Sequence, residues 1–128
     1  MSKASKCDAE TFIKSFYQQY TGIYARMDYA MEQDLKELRE QHCTPELNVR
    51  FKEAADFNKE DCGSDSYDLL VNNFDFDVFW CKSLVIEATG KDTFNVSYKY
   101  SPNDTFSTSF QVKVCEKNGY YKIEDIIL

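Results

Sequence analysis

Apolar and polar residues alternate along Phe94-Asn-Val-Ser-Tyr-Lys-Tyr100, and again along Phe106-Ser-Thr-Ser-Phe-Gln-Val-Lys-Val-Cys115. A period of two, with one apolar and one polar face, is typical of a half-buried antiparallel strand. A similar run covers residues 84–89, and a last strand is predicted after residue 119. Turn signals separate these runs: Gly90-Lys-Asp92, Ser101-Pro-Asn-Asp104 and Lys117-Asn-Gly119. The sequence therefore predicts a four-stranded meander whose apolar face must be covered by residues before 83.

The preceding residues show helical spacing instead. From Asp8, a predicted N-cap, apolar side chains recur every three or four residues as far as Leu38. The stripe is long for one helix, and a glycine such as Gly22 is a site where helices bend or break. We expect either one bent helix or two helices that meet between Gly22 and Asp28. Residues 1–7 are expected to form a disordered lead-in.

A further helix start is predicted at Thr44-Pro-Glu46, which supplies a capping hydroxyl, a proline at the first helical position and an acid in the first turn. That helix is expected to end near Phe57, and residues 58–67 to form a polar loop. Residues 67–80 fit either a helical turn or a strand. Helices followed by strands predict one α+β domain over residues 8–128. Its N-terminal helices would pack on a curved, cone-like antiparallel sheet of four or more strands.

The net charge of −7 argues against nucleic acid and anionic membranes as partners, because both require a basic face. No apolar run is long enough to span a membrane, and residues 1–7 contain no hydrophobic segment of a signal peptide. We expect a cytoplasmic protein. If a leader was removed and Met1 is an artificial start, a periplasmic or exported protein is the alternative.

Motifs for catalysis and metal binding are missing from the sequence. The five cysteines form no C-x-x-C pair and, with His42 as the only histidine, have no zinc-site spacing. We expect reduced cysteines that pack as small hydrophobic residues; a Cys43–Cys81 disulfide is the alternative. A solvated His42 at a helix end fits better than a Cys–His dyad. The prediction is a non-enzyme with no metal and no cofactor, although a pair such as Tyr20 or Tyr98 with Asp68 is left open.

Acidic residues are concentrated between Asp56 and Asp77. This stretch holds seven acids and one lysine, so that −6 of the total charge of −7 lies in 22 residues. One interpretation is a solvated loop that keeps the protein soluble. The other is an electrostatic docking surface for a basic partner, which speeds association and fixes register. The predicted partner-binding residues are Asp61, Asp65, Asp68, Asp75 and Asp77.

The last strand, Gly119-Tyr-Tyr-Lys-Ile-Glu-Asp-Ile126, resembles the recurring final strand of the nuclear transport factor 2-like superfamily. Cys43-Thr-Pro-Glu-Leu47, Tyr67-Asp-Leu-Leu70 and Asp75 before Trp80 are similar to small bacterial domains of unknown function within it. The resemblance covers most of residues 8–127. It implies a sheet curled around the first helix and a pocket at the open end of the cone. The expected pocket-lining residues are Phe16, Tyr20, Phe94, Tyr98 and Phe110.

Members of such a superfamily have many functions, so fold alone does not select one. The sequence favours a non-enzymatic binding protein that docks a protein partner. In its most concrete form this is an immunity-type inhibitor of a bacterial toxin. An exported small-molecule-binding protein that uses the cone pocket is the alternative, and an isomerase- or dehydratase-like enzyme comes third. The oligomeric state is left open, with a homodimer among the alternatives.

Overall fold

The computed structural model of the chain describes residues 6–26, 28–62, 67–74, 82–99 and 107–128. Three helices come first: α1 (Lys6–Arg26), α2 (Met31–His42) and α3 (Pro45–Cys62). Two short strands follow, β1 (Tyr67–Asp68) and β2 (Asn73–Phe74). The chain then forms β3 (Val85–Ala88), β4 (Thr93–Lys99), β5 (Ser107–Lys117) and β6 (Tyr120–Ile127).

The predicted meander is confirmed. Strands β3 to β6 form one antiparallel sheet in sequence order. The predicted inward residues are opposite one another, with Phe94 across from Val112 and Val96 across from Phe110, and all four are at most 3% exposed. Positive φ angles of 55° at Asn118 and 82° at Gly119 produce the tight turn between β5 and β6.

The helices cover the apolar face of this sheet. On α1 the buried side chains recur at helical spacing: Ile13, Phe16, Tyr17 and Tyr20. Leu35 and Leu38 of α2 and Leu47 of α3 join them in one cluster with the inward residues of the sheet. The predicted α+β fold of helices on a four-stranded antiparallel sheet is therefore confirmed and is consistent with a cone-like shape.

Several predicted helix boundaries are wrong. Helix α1 begins at Lys6, before the proposed cap at Asp8, so Lys6 and Cys7 are not a disordered lead-in; residues 1–5 lie outside the described chain. The helix does not break at Gly22 but ends at Arg26, within the predicted junction of residues 22–28, and α2 begins at Met31, so the alternative of two helices is confirmed.

The third helix also differs in length from the prediction. Helix α3 extends to Cys62, five residues past the predicted end at Phe57, so residues 58–62 are not a loop. Polar residues such as Lys59 and Glu60 are good helix formers, and the Asn58 side chain donates a hydrogen bond to the Ala54 carbonyl at 2.8 Å. The polar sequence of residues 58–62 is therefore compatible with a loop or with the last turn of a helix.

The start of α3 agrees with the prediction and is fixed to the sheet. The Leu47 amide donates to Thr44 Oγ1 at 3.3 Å, as expected for a capping hydroxyl. The Thr44 amide donates to the Ile123 carbonyl at 2.9 Å, and Cys43 forms a parallel bridge with Ile123. The α2–α3 junction is thereby joined to the edge of the sheet at β6.

The ambiguous segment after α3 forms a small hairpin. Tyr67 pairs with Phe74 and Asp68 with Asn73. Asn72 closes the turn with a φ of 50°, and its side-chain oxygen accepts a hydrogen bond from the Tyr67 hydroxyl at 2.6 Å. The strand-like pattern continues in sequence through residues 75–80, which lie outside the described chain.

Candidate functional site

Asp68 is the most unusual acidic residue of the described chain, because it is only 2% exposed. It is the last residue of β1, where it pairs with Asn73 of β2. Its carboxylate accepts a hydrogen bond from the Tyr20 hydroxyl at 2.6 Å and another from the Tyr24 hydroxyl. The Leu70 amide donates to the other carboxylate oxygen at 2.8 Å. Both oxygens of the buried acid are therefore satisfied within the fold.

A cation lies next in this network. Arg39 of α2 donates to the Tyr20 hydroxyl at 2.9 Å, and its guanidinium lies 4.0 Å from the centre of the Phe51 ring. Burial raises the pKa of the Asp68 carboxyl above its ordinary value, while the two tyrosine hydroxyls and Arg39 act in the opposite direction. Burial, with the nearby Asp68 charge, also raises the pKa of Tyr20 well above its ordinary value, so the Tyr20 hydroxyl stays protonated and donates its hydrogen bond to Asp68.

The turn that follows Asp68 is held by two more tyrosines. The Tyr17 hydroxyl donates to the Leu70 carbonyl at 2.8 Å, and the Tyr98 hydroxyl donates to the Val71 carbonyl at 2.5 Å. Residues 69–71 are themselves at most 2% exposed. The hairpin is thus fastened to α1 and β4 by hydroxyl groups as well as by apolar contacts.

This cluster brings together the groups of an acid–base site: a carboxyl with a raised pKa, two phenols and a guanidinium. A substrate, however, needs access to the reacting oxygen. Both carboxylate oxygens of Asp68 already accept protein hydrogen bonds, and the residue is almost inaccessible. In this conformation the cluster works as an internal anchor for the hairpin.

The burial of Asp68 corrects one predicted contact residue. Asp68 cannot be part of an exposed docking surface, because a partner would have to displace Tyr20 and Tyr24 to reach it. The sequence feature that could have indicated the burial of Asp68 is the apolar run 69–71, which follows it directly. Asp65, Asp75, Asp77 and the side chain of Asp61 lie outside the described residues.

The five predicted pocket-lining residues are brought together in the core. They are at most 3% exposed, and they belong to the single cluster that joins helices and sheet: Phe16, Tyr20, Phe94, Tyr98 and Phe110. The rings of Phe16 and Tyr20 stack with centroids 5.4 Å apart. These side chains therefore pack against one another and hold the hairpin through Tyr20 and Tyr98.

A surface groove of about 450 Å³ lies elsewhere, between α1 and α2. Ile23 and Leu38 provide its apolar part, and Gly22 lies between the longer side chains of α1. At one end, Arg26 donates to Asp28 at 3.0 Å and to Asp34 at 2.5 Å, which links the end of α1 to α2. The sequence analysis did not predict this groove. The one local feature that could have indicated it is Gly22, a glycine within an otherwise regular helical pattern.

The histidine is not the solvated helix-end cation that the sequence suggested. His42 is half-buried, with its ring centroid 5.8 Å from that of Phe12 and 6.0 Å from that of Phe16. Burial, followed by the nearby Lys122 charge, lowers its pKa. It therefore packs as a neutral aromatic ring.

The neighbouring cysteine is also a packing residue. Cys43 is a free, buried cysteine, which goes against the alternative of a Cys43–Cys81 disulfide; Cys81 itself lies outside the described residues. Burial raises the pKa of its thiol to about 12, so the thiolate needed for nucleophilic attack is disfavoured.

The described residues contain no group of three or more histidine, cysteine, aspartate or glutamate side chains that could hold a metal ion. None of the described helices combines the length and the apolar character needed to cross a membrane.

The chain was also compared with known proteins. No protein-family model and no curated protein matches it. Among solved structures, it is similar to a protein of unknown function from Bacteroides thetaiotaomicron VPI-5482, with a TM-score of 0.74 and 19% sequence identity. The match covers 96% of this chain and 91% of the other. At this identity the likeness shows a shared fold, which extends over nearly all of both chains.

Proposed function

We propose that this protein is a non-enzymatic binding protein that docks a basic protein partner through the acidic residues around the Asp68 hairpin. The observation that supports this most strongly is the anchoring of residues 68–71 by buried hydroxyl groups of α1 and β4. The chain places its greatest density of negative charge next to a segment that is fixed to the core.

Binding residues are commonly found on loops that a rigid scaffold positions. Asp65 precedes the described hairpin by two residues, and Asp75 and Asp77 follow it by one and three. Asp68 acts within the protein in this proposal, as the anchor, while Asp61, Asp65, Asp75 and Asp77 make the contacts. Their charge attracts a basic partner before contact and orients it on arrival.

The more specific form of the proposal is an immunity-type inhibitor of a bacterial toxin, within the nuclear transport factor 2-like superfamily. Its support is the sequence resemblance of the last strand and of the segment around Cys43, together with an α+β fold of helices on a four-stranded meander. An inhibitor of this kind needs a rigid surface complementary in charge to its target, and no catalytic group.

The test compares three proteins: wild type, Asp65→Lys/Asp75→Lys/Asp77→Lys, and the control Glu32→Lys/Glu53→Lys/Glu87→Lys. The control makes the same change in net charge at exposed residues of α2, α3 and β3. A partner recovered from native cells with the wild type is purified, and its association with each protein is measured by stopped flow at low and physiological ionic strength. We expect the first variant to associate about tenfold more slowly at low salt, and the control to stay near wild type. Equal rates for the wild type and the first variant would contradict the proposal.

An acid–base enzyme of the isomerase or dehydratase type is the second candidate. It is favoured by the Tyr20–Asp68 pair, which the sequence left open and which forms at 2.6 Å. It requires Tyr20 and Tyr24 to move away from a buried carboxylate. A small molecule that perturbs the NMR signals of Asp68 and Leu70, while the partner does not, would favour this candidate over docking.

A further inference from the structure

Gly22 lies inside α1, and no contact among the described residues requires a glycine there. Within a helix, glycine is less stable than alanine by about 1 kcal/mol. Glycines are retained in helices where another backbone segment approaches closely, but a Cβ at residue 22 would meet no atom of the described residues within 4 Å. The helix continues for four residues beyond it, so it does not terminate the helix either. Its effect on the surface is to leave space in the groove between α1 and α2.

The groove combines apolar surface with a carboxylate. Ile23 is half-buried and Leu38, although only 8% exposed, also lines the groove, so the lining includes apolar atoms. Glu37 lines the same groove and is exposed. Within the described residues, Glu37 forms no ion pair, and its carboxylate accepts a hydrogen bond from the Gln33 side-chain amide at 3.1 Å.

The neighbouring groups do not neutralise this carboxylate. Arg26, which also lines the groove, is engaged by Asp28 and Asp34. Gln19 donates its amide N–H to Ser15 Oγ at 3.1 Å, which leaves its side-chain oxygen as an acceptor. The lining therefore offers acceptors and one unbalanced negative charge above an apolar strip.

We propose that this groove receives an arginine side chain from a protein partner. The aliphatic stem would lie on Ile23 and Leu38 in the space left by Gly22, and the guanidinium would donate to Glu37 and to the amide oxygen of Gln19. Arginine fits better than lysine, because its planar group donates several hydrogen bonds at once to a carboxylate and a neighbouring oxygen. This inference rests on the proposed function, because it gives the basic partner a second point of contact.

The experiment uses peptides, so that it does not depend on the natural partner. A phage-displayed library of random linear heptapeptides is selected on the wild-type protein, and the dissociation constants of selected peptides are measured by fluorescence polarisation. The variants are Gly22→Leu, which fills the groove, Glu37→Gln, which removes its charge, and the control Gly22→Ala. Because residue 22 is helical, exposed and without a close contact among the described residues, both Gly22 variants should fold and melt about 2–5 °C higher than wild type.

We expect the selected peptides to share an arginine next to an apolar residue. Gly22→Leu and Glu37→Gln should each weaken binding by at least about tenfold, as should replacing the peptide's arginine with norleucine, whereas Gly22→Ala should change it less than about threefold. Peptides without a shared arginine, or peptides that bind Gly22→Leu as well as wild type, would overturn the inference, and so would a selection that enriches nothing.

The Asp65→Lys/Asp75→Lys/Asp77→Lys variant separates this result from the proposed function. It should bind the selected peptides as tightly as wild type, because it leaves Ile23, Glu37 and Leu38 of the groove unchanged. If the groove binds arginine peptides while the partner associates equally fast with wild type and the triple variant, the docking proposal fails and the groove assignment stands. If the triple variant slows the partner but no arginine peptide binds in the groove, only the groove assignment fails.

Discussion

At the scale of single residues, the sequence shows where the acidic residues are but not which of them are buried. Asp68 belongs to a run of acids that appears uniformly exposed, yet it accepts hydrogen bonds from side chains 48 and 44 residues away. Such contacts follow from how α1 packs on the hairpin, and no local pattern records them. The pairing with Tyr20 was anticipated as one alternative, whereas Tyr98 reaches a backbone carbonyl instead and Tyr24 was not anticipated.

The raised pKa of Asp68 makes a prediction about pH. Its folded-state pKa lies above the ordinary value of 3.8, so its contribution to stability is fully present below pH 3.8 and is lost as the pH rises through the folded-state pKa. Asp68→Asn is nearly isosteric and does not titrate. We therefore expect the free-energy advantage of wild type over this variant to be largest in acid and to shrink with rising pH, by about 1.4 kcal/mol for each unit of raised pKa.

Urea unfolding at a series of pH values, from below 3.8 to neutral, measures this difference. Glu87→Gln, at an exposed position of β3, serves as the control for removing a carboxylate. A difference between wild type and Asp68→Asn that stays constant, or grows, with rising pH would show that the carboxyl is stabilised in its charged form by Tyr20, Tyr24 and Arg39.

At the scale of elements, the sequence predicted structures whose periodicity is local. The strands β3 to β6 alternate, and α1 and α2 carry apolar stripes, so both types were recognised. The hairpin β1–β2 was ambiguous, because two-residue strands are too short to show a period. Its conformation depends instead on Tyr17 and Tyr98, which lie 53 and 27 residues from their acceptors in sequence.

The tyrosine anchors make a prediction about this hairpin. Tyr17→Phe and Tyr98→Phe each leave a buried carbonyl of the turn without its hydroxyl donor, which should cost about 1–3 kcal/mol. The loss should be local, so hydrogen exchange at the amides of residues 70–72 should accelerate more than at β4 and β5. Tyr120→Phe is the matched control, because Tyr120 is 73% exposed. Uniform acceleration across the sheet would mean that the hairpin opens only when the whole domain unfolds.

At the scale of the whole molecule, composition and pattern were enough for the α+β fold but not for the site. The aromatic residues expected around a pocket, such as Phe16 and Phe94, are core residues, and a groove lies between the first two helices. An inward-facing ring can either pack in the core or line a pocket, and which of the two occurs depends on how the helices pack on the sheet. That packing is set by long-range contacts, which the periodicity of the sequence does not show.

The last prediction concerns how the acidic stretch divides between anchor and surface. Asp65→Lys/Asp75→Lys/Asp77→Lys changes the net charge by +6, from −7 to −1. Exposed charges contribute little to stability, and weaker self-repulsion favours the compact state, so the thermal midpoint should stay the same or rise slightly. Asp68→Lys instead buries an ammonium beside Arg39 and the tyrosine hydroxyls. It should cost about 3–5 kcal/mol and lower the midpoint by about 10–20 °C.

Thermal unfolding followed by circular dichroism compares the two variants directly. The contrast between them is informative because all four positions lie within 13 residues and carry the same type of substitution. If the triple variant is destabilised as strongly as Asp68→Lys, its carboxylates are structural as well, and the acidic stretch then has no free charge to offer a partner. If only Asp68→Lys unfolds early, one acid fixes the hairpin and its neighbours remain available for electrostatic docking.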